Sequence, residues 1–296
     1  MSNTTLQITD HVLKLLSDTL NDRVELFNTR GLGGGCINQT CLLETSAGRF
    51  FLKWSQNVPA DMFTREAESL NELRKAAANR LIIPLVVLSG TPEIISGFLL
   101  LEYLEPGRTG NDEEKLGQGL AQIHEYSGSF YGFYHDNYCG MTPQDNTPCQ
   151  NWPAFYSNQR LGKLLDQLKE RKQYSAGEIR IFEKLRDRIP CLLPQESKPV
   201  LIHGDLWAGN YLHTGNGPAL IDPASYYADR EMEYGIMTLF GGFSTRFWDA
   251  YNEANPLPRG WRERNGLYQL YHVLNHYLLF GGGYGRQAVS IAQSYL

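Results

Sequence analysis

The spacing of hydrophobic residues changes about a third of the way along the chain. Before residue 105 short stretches alternate or run continuously apolar; beyond it apolar residues recur every three or four positions, as on the buried face of a helix. Val24–Thr29 reads as a strand. Ile37–Thr45 and Arg49–Trp54 read as two more, joined through Ser46-Ala47-Gly48, a hairpin turn. Phe63, Ala67 and Leu70 recur at i, i+4 and i+7 and predict a helix, and Gly97–Tyr103 (GFLLLEY) predicts a fully buried strand. Glu105-Pro106-Gly107 then breaks the pattern. Helices are expected over Leu116–His124, around Leu161–Leu168, around Phe182–Ile189 and over Leu267–Phe280. Among them sit a short strand at Val200–Ile202 and a small hairpin of Tyr211–Leu212 with Ala219–Ile221. The expectation is an α+β chain in two lobes, β-rich over 1–105 and mainly helical over 106–296, with a cleft between them.

The chemistry concentrates where the short strand and the small hairpin meet. His203-Gly204-Asp205-Leu206-Trp207-Ala208-Gly209-Asn210 follows the strand, and Asp222 follows the hairpin. Phosphoryl transfer needs a carboxylate beside the acceptor hydroxyl and two oxygen ligands for Mg²⁺. An Asp, an Asn five residues later and an Asp after a short hairpin supply all three, in the spacing of the protein-kinase pattern H-R-D-x-x-x-x-N followed by D-F-G. Gly204 replaces the Arg, and Pro223-Ala224 replaces the Phe-Gly. Asp205 is then the expected base, Asn210 and Asp222 the metal ligands, and His203 a post that orients the loop. Lys53 sits among apolar strand residues, where a charge requires a partner. Glu66 lies on the apolar stripe of the following helix and Glu68 does not, so Glu66 is the expected partner, holding Lys53 against the ATP phosphates. Gly33, Gly34 and Gly35 precede the hairpin and expose backbone amides to a phosphate. Glu102, Tyr103 and Leu104 lead into the break, where backbone groups would meet adenine. The fold expected is therefore protein-kinase-like. A Walker loop is disfavoured, because no G-K-[ST] follows the glycines.

Larger blocks narrow the reading. H-G-D-L-W-x-G-N at 203–210, D-P-A-x-Y-Y-x-D-R-E at 222–231, L-F-G-G-F at 239–243 and L-Y-x-L-Y-H-x-L-N-H at 267–276 resemble the fructosamine kinase (ketosamine 3-kinase) family. So do 31–39 with F-F-L-K at 50–53, and Asp136-Asn137-Tyr138 with Gly140 and Thr142-Pro143-Gln144. The resemblance implies the aminoglycoside-phosphotransferase-like branch of the kinase fold and ATP- and Mg²⁺-dependent phosphorylation of the 3-hydroxyl of ketosamines, the adducts that sugars form with amines, leading to deglycation. It also implies that Asp205 is the base, that Asn210 and Asp222 bind Mg²⁺ and that Lys53 with Glu66 secures ATP. Trp207, Asp229 and His272 become substrate-side candidates, with core packing as the alternative for Trp207 and a structural role for the other two. Cys36, in the glycine loop, is a candidate redox switch or else a quiet buried thiol. The rival readings are a sister phosphotransferase for an aminoglycoside, choline or homoserine, and a pseudokinase scaffold.

Composition removes other classes. The 296 residues carry 27 basic and 32 acidic side chains, a net charge of −5, so nothing advertises a nucleic-acid partner. The longest apolar run, Leu81–Leu88, is interrupted by Pro84 and is too short to span a membrane. Five cysteines with no C-x-x-C pair point to reduced thiols and a cytoplasmic protein. The family resemblance implies small-molecule ketosamines or glycated amines and proteins as partners, and a monomer or weak homodimer is expected.

Overall fold

The computed structural model describes residues 3–33 and 38–296. It begins with a helix that the hydrophobic pattern did not locate in the β-rich first hundred residues, α1 (Asn3–Leu20). Its buried stripe is Ile8, Val12 and Leu16, spaced by four; the polar residues around them mask the period. Five strands follow, β1 (Leu26–Gly31), β2 (Gln39–Thr45), β3 (Gly48–Ser55), β4 (Val86–Gly90) and β5 (Gly97–Glu102), in one antiparallel sheet of order β1-β2-β3-β5-β4. Helix α2 (Met62–Ala77) lies between β3 and β4 in sequence. The β2–β3 turn is the expected one: Thr45 pairs with Gly48, whose φ of +125° favours glycine.

The two faces of this sheet have different partners. Along β3, Leu52 and Trp54 are buried under α1 together with Leu43, Phe98 and Leu100. The alternation of strand side chains sends Phe51 and Lys53 to the opposite face. There Leu99 and Leu101 pack with Phe63, Leu70 and Leu73 of α2. That register puts a lysine on the face turned toward α2.

Helices dominate the remainder: α3 (Asp112–Ile123), α4 (Trp152–Phe155), α5 (Lys163–Glu170), α6 (Ala176–Leu192), α7 (Glu231–Phe240), α8 (Thr245–Ala254), α9 (Trp261–Phe280) and α10 (Tyr284–Ser294). Between α4 and α5 the turns at Tyr156–Gly162 are π-helical. Three two-stranded ribbons complete the region: β6 (Asn137–Cys139) with β7 (Thr142–Gln144), β8 (Val200–Ile202) with β11 (Tyr226–Ala228), and β9 (Tyr211–Thr214) with β10 (Gly217–Leu220). Helix α7 escapes the sequence pattern because Glu231–Met237 is buried throughout, which erases an amphipathic period. The break at Glu105-Pro106-Gly107 lies against the β9–β10 ribbon: the Gly107 N–H donates to His213 O at 3.1 Å, and Pro106 bridges to Thr214.

Candidate active site

Lys53 is the centre of an ion cluster drawn from three elements. Its Nζ donates to both carboxylate oxygens of Glu66, at 3.0 and 2.9 Å, and to Asp222 Oδ1 at 2.9 Å. The sheet supplies the lysine, α2 the glutamate, and the segment after the β9–β10 ribbon the aspartate. Burial pulls the ammonium down, but Asp222 and then Glu66 outweigh it and hold Lys53 above its ordinary value. Two carboxylates share this one cation. Burial pushes Glu66 up to about 7 against the pull of Lys53, whereas Asp222 is held below the usual carboxylate range by Lys53 despite its burial. Asp222 takes a φ of +53°, a conformation that Asp tolerates better than most residues.

The loop from His203 to Asn210 is held from beneath by a residue that the sequence reading passed over. Glu233 of α7 accepts the His203 N–H at 2.5 Å and the Gly204 N–H at 3.1 Å. It is fully buried. Gly204 has φ +84°, and a Cβ there would lie 2.2 Å from Ala224 O, which explains why glycine stands where kinases carry arginine. His203 is the post the pattern suggested. Its Nε2–H donates to Ile221 O at 2.9 Å and its Nδ1 accepts the Asp205 N–H at 3.3 Å. Burial keeps its pKa below the ordinary histidine value. Asn210 Nδ2 donates to Asp205 O at 2.7 Å and to Asp205 Oδ2 at 3.2 Å. The Asn210 Oδ1 has no partner among the described residues. The Ile221 N–H donates to Asn210 O at 3.0 Å, which ties Asn210 beside Asp222. An uncommitted amide oxygen next to a carboxylate is a donor pair that suits a hard divalent cation such as Mg²⁺. Burial, and then Asp222, push Asp205 up to about 8.

On the other side of Asp205 the surroundings change. Cys139 Sγ, an Asp205 carboxylate oxygen and a ring nitrogen of His272 all lie within 4.8 Å of one another. Burial, then His276 and Arg160, pull His272 down to about 3, so its ring is neutral, and its buried Nδ1 has no hydrogen-bond partner among the described residues. Trp207 is 41 % exposed, which removes core packing as its role. Its ring covers Gly209, where a Cβ would come within 2.5 Å of it, and meets Phe240 at 6.3 Å between centroids. A buried amide network fixes the strand that leaves Asp222. Asn137 Nδ2 donates to Ser225 O at 2.8 Å, Gln144 and Asn146 both donate to Asn137 Oδ1, and the Tyr271 hydroxyl donates to Gln144 Oε1 at 2.8 Å. The sequence quoted Asn137 and Gln144 as motif residues without revealing this role.

Asp229 is not part of this site. It follows Ala228, which pairs with Val200 at the end of β8 remote from Asp205. There its carboxylate accepts the Glu231 N–H at 2.8 Å, at the start of α7, and burial with Glu231 pushes it up to about 6. The acid marks a turn, and only the strand register reveals that it follows the end of β11 remote from the loop. Near the break, the Glu102 N–H donates to Leu85 O at 3.0 Å and the Tyr103 N–H to Arg49 O at 3.1 Å, while the Leu104 N–H has no partner among the described residues. Gly33 borders open space. Gly34, Gly35 and Cys36 lie outside the described residues.

Residues 8–296 match the family model for fructosamine kinase. The chain belongs to the fructosamine kinase family. Among its relatives, a chloroplastic protein-ribulosamine 3-kinase from Oryza sativa subsp. indica is 38% identical over 272 residues, covering 90% of this chain and 78% of that one. A provisionally named ketoamine kinase from Synechocystis is 36% identical over 281 residues, covering 94% and 93%. Among solved structures, a provisionally assigned fructosamine-3-kinase from Thermobifida fusca superposes with a TM-score of 0.84 at 30% identity, covering 96% of this chain and 98% of that one. A spectinomycin phosphotransferase bound to ADP and spectinomycin, 15% identical with a TM-score of 0.58 over 97% and 98% of the chains, shares the fold alone. The fructosamine kinase chain thus has the α+β aminoglycoside-phosphotransferase-like kinase fold. No helix among its described residues is long and apolar enough to cross a membrane.

Proposed function

We propose that this fructosamine-kinase-family enzyme transfers the γ-phosphoryl group of ATP to the 3-hydroxyl of ketosamines, fructosamine- or ribulosamine-type adducts whose 3-phosphates then decompose and free the amine. The observation that carries the reading is the Lys53 cluster with Asp205 and Asn210 beside it. In this reading residues 1–105 serve as the nucleotide lobe and 106–296 as the catalytic and acceptor lobe. Lys53, positioned by Glu66, meets the ATP phosphates beneath the glycine loop, and the Leu104 N–H is offered to adenine. Asn210 and Asp222 are the residues that would hold Mg²⁺, which when bound neutralises phosphate charge. Asp205 orients the acceptor hydroxyl and takes its proton; transfer depends mainly on holding that oxygen in line with the γ-phosphorus. Asp205's high affinity for a proton suits it to this task near neutral pH. His272, neutral and beside Asp205, lines the acceptor end, and Trp207 covers the sugar face or the cationic amine.

The test is ADP release with a panel of fructosyl- and ribulosyl-amines beside free fructose, free ribulose, an aminoglycoside, choline and homoserine, with the phosphate position read by NMR. Preferential turnover of the adducts with phosphate on the third carbon supports the proposal. Equal kcat/KM for adduct and free sugar, preference for another acceptor, or nucleotide binding with no transfer defeats it.

A further inference from the structure

The Asp205 corner holds one metal-ligating group for which phosphoryl transfer has no use. Cys139 closes β6, and its Sγ, an Asp205 carboxylate oxygen and a His272 ring nitrogen lie within 4.8 Å of one another. No other three donors of His, Cys, Asp or Glu gather this closely among the described residues. Thiolate, carboxylate and imidazole are the ligands that zinc takes. Each comes from a separately anchored element. Alternation along β6 sets Cys139 on the side of Asn137, which is tied to Ser225 O and to Gln144. From α9, Asn275 Nδ2 donates to Cys139 O at 3.3 Å and to its Sγ at 3.4 Å. His272 stands one turn earlier on that helix, so one helix face reaches both the thiol and the carboxylate. Asp205 belongs to the loop that Glu233 braces. Cys139 and His272 are buried and Asp205 only partly so, which leaves an approach past the carboxylate.

The donor set selects the ion. Mg²⁺ asks for oxygens, as Asn210 and Asp222 offer, whereas a thiolate with an imidazole favours Zn²⁺. Tetrahedral zinc sits about 2.3 Å from sulfur and about 2.0 Å from nitrogen or oxygen, so bound donors stand about 3.3–3.6 Å apart. From 4.8 Å or less, closure asks for about 1 Å of side-chain movement. Burial keeps the His272 ring neutral, and its Nδ1 has no partner among the described residues. We propose that Cys139, Asp205 and His272 bind Zn²⁺, and that zinc there shuts the enzyme by taking Asp205 away from the acceptor. The blocking rests on the role given to Asp205 above. Burial holds the Cys139 thiol protonated until the cation displaces that proton. On binding, the thiol and the Asp205 carboxyl release their protons to solvent, Zn–S, Zn–O and Zn–N bonds form, and one water of the ion keeps the fourth position. No electron is transferred. Asn210 and Asp222 stay uncommitted, so Mg²⁺ with nucleotide still binds.

The experiment uses the full chain, reduced, with Mg²⁺, ATP and a fructosyl-amine, and with free Zn²⁺ set by a metal buffer. Zn²⁺ is expected to compete with the fructosyl-amine, to leave KM for ATP unchanged and to resist excess Mg²⁺. Cys139→Val and Cys139→Ala should keep turnover within about twofold of the parent's and raise the half-inhibiting zinc concentration about a hundredfold or more, since losing merely the partner of a metal ligand weakens binding about 10–100-fold. Cys36→Ser should be inhibited as the parent is. Co²⁺ reads the site without turnover: the parent should show a thiolate-to-cobalt charge-transfer band that both Cys139 variants lack. Unchanged inhibition in the Cys139 variants, its loss in Cys36→Ser, or competition with ATP overturns the proposal and leaves the kinase reading in place. A parent that binds Co²⁺ through Cys139 but phosphorylates no fructosyl-amine overturns the ketosamine reading and the blocking with it, while the metal site stands.

Discussion

At Lys53 an ammonium and two carboxylates meet inside the protein, whereas around His272 and Trp207 a buried ring nitrogen has no partner among the described residues and a ring is half-exposed. The Lys53 ammonium touches two carboxylates and stands on a sheet, between a helix and a ribbon. On the other side of Asp205, His272 keeps a buried nitrogen with no partner among the described residues, and Trp207 is half-exposed. In the function proposed above, the contrast follows from what each corner would meet. A triphosphate is the same in every turnover, and charges fixed in advance lose nothing by waiting for it. An acceptor brings its own hydroxyls and amine, and a group already bonded within the protein could not receive them.

The sharpest break of this comparison is at the residue between the two corners. Asp205→Asn should lower turnover by about 10²–10⁴-fold while ATP still binds, because only the acceptor loses its base. Steady-state kinetics with a nucleotide-binding titration checks this, and near-normal turnover removes Asp205 from the role. The same variant has a stability signature. A carboxyl raised from 3.8 to about 8 in the folded state ionises first in the unfolded chain, so ionisation favours unfolding increasingly between those pH values and by a constant amount above them. Without nucleotide, Asp205→Asn should therefore melt at a temperature above the parent's by a margin that grows from pH ~4 to pH ~8 and then levels off. A margin that shrinks over this window contradicts the assignment.

Lys53→Met attacks the satisfied corner. It leaves Glu66 and Asp222 facing each other without their cation, and removing one partner of a buried pair costs on the order of 3 kcal/mol. The variant should lose melting temperature and ATP affinity together; retention of both by thermal melts and ATP titration would show that the cluster is dispensable. Glu233→Gln acts on the loop from below by turning an acceptor for two backbone N–H groups into a partial donor. Charge-assisted bonds of this kind contribute ~1.5–3 kcal/mol, so kcat should fall by about tenfold to a hundredfold, with a much smaller change in KM for ATP. A matched rise in KM for ATP would place its effect on the nucleotide instead. Trp207→Ala is the mildest. It should raise KM for the ketosamine severalfold, in keeping with a ring–cation contact of ~0.5–2 kcal/mol, and leave KM for ATP unchanged. Equal shifts in both constants would show that the two corners are not separable there.

The elements fall on either side of the same divide. Strands β2, β3 and β5, the helix carrying Glu66 and the 203–222 segment were legible because each rests on a local period or a short motif. Helix α1 was hidden by polar neighbours, and α7 by burial on every side, where no amphipathic contrast remains to be read. Site residues behave alike. Lys53 and Glu66 could be paired from sequence because each stood where an unpaired charge is costly, and of Glu66 and Glu68 only Glu66 lay on the apolar stripe.

By itself, the sequence determined the chemistry and its order: a lysine on a strand, a glutamate on a buried stripe, and an Asp-Asn-Asp set at the spacing that phosphoryl transfer requires. Those are properties of neighbours along the chain, where backbone geometry fixes which side chains share a face. Tertiary structure alone decided that Glu233, thirty residues on, holds the His203 loop, and that Asp229 is carried away from it by the pairing of Ala228 with Val200. It also decided that Asn137 and Gln144 fasten the strand after Asp222, and that Trp207 packs against Phe240. A buried acid or an aromatic residue reads the same in sequence whether it caps a turn, braces a loop or faces a substrate. What separates these roles is the partner it meets, and that is fixed only when distant segments pack.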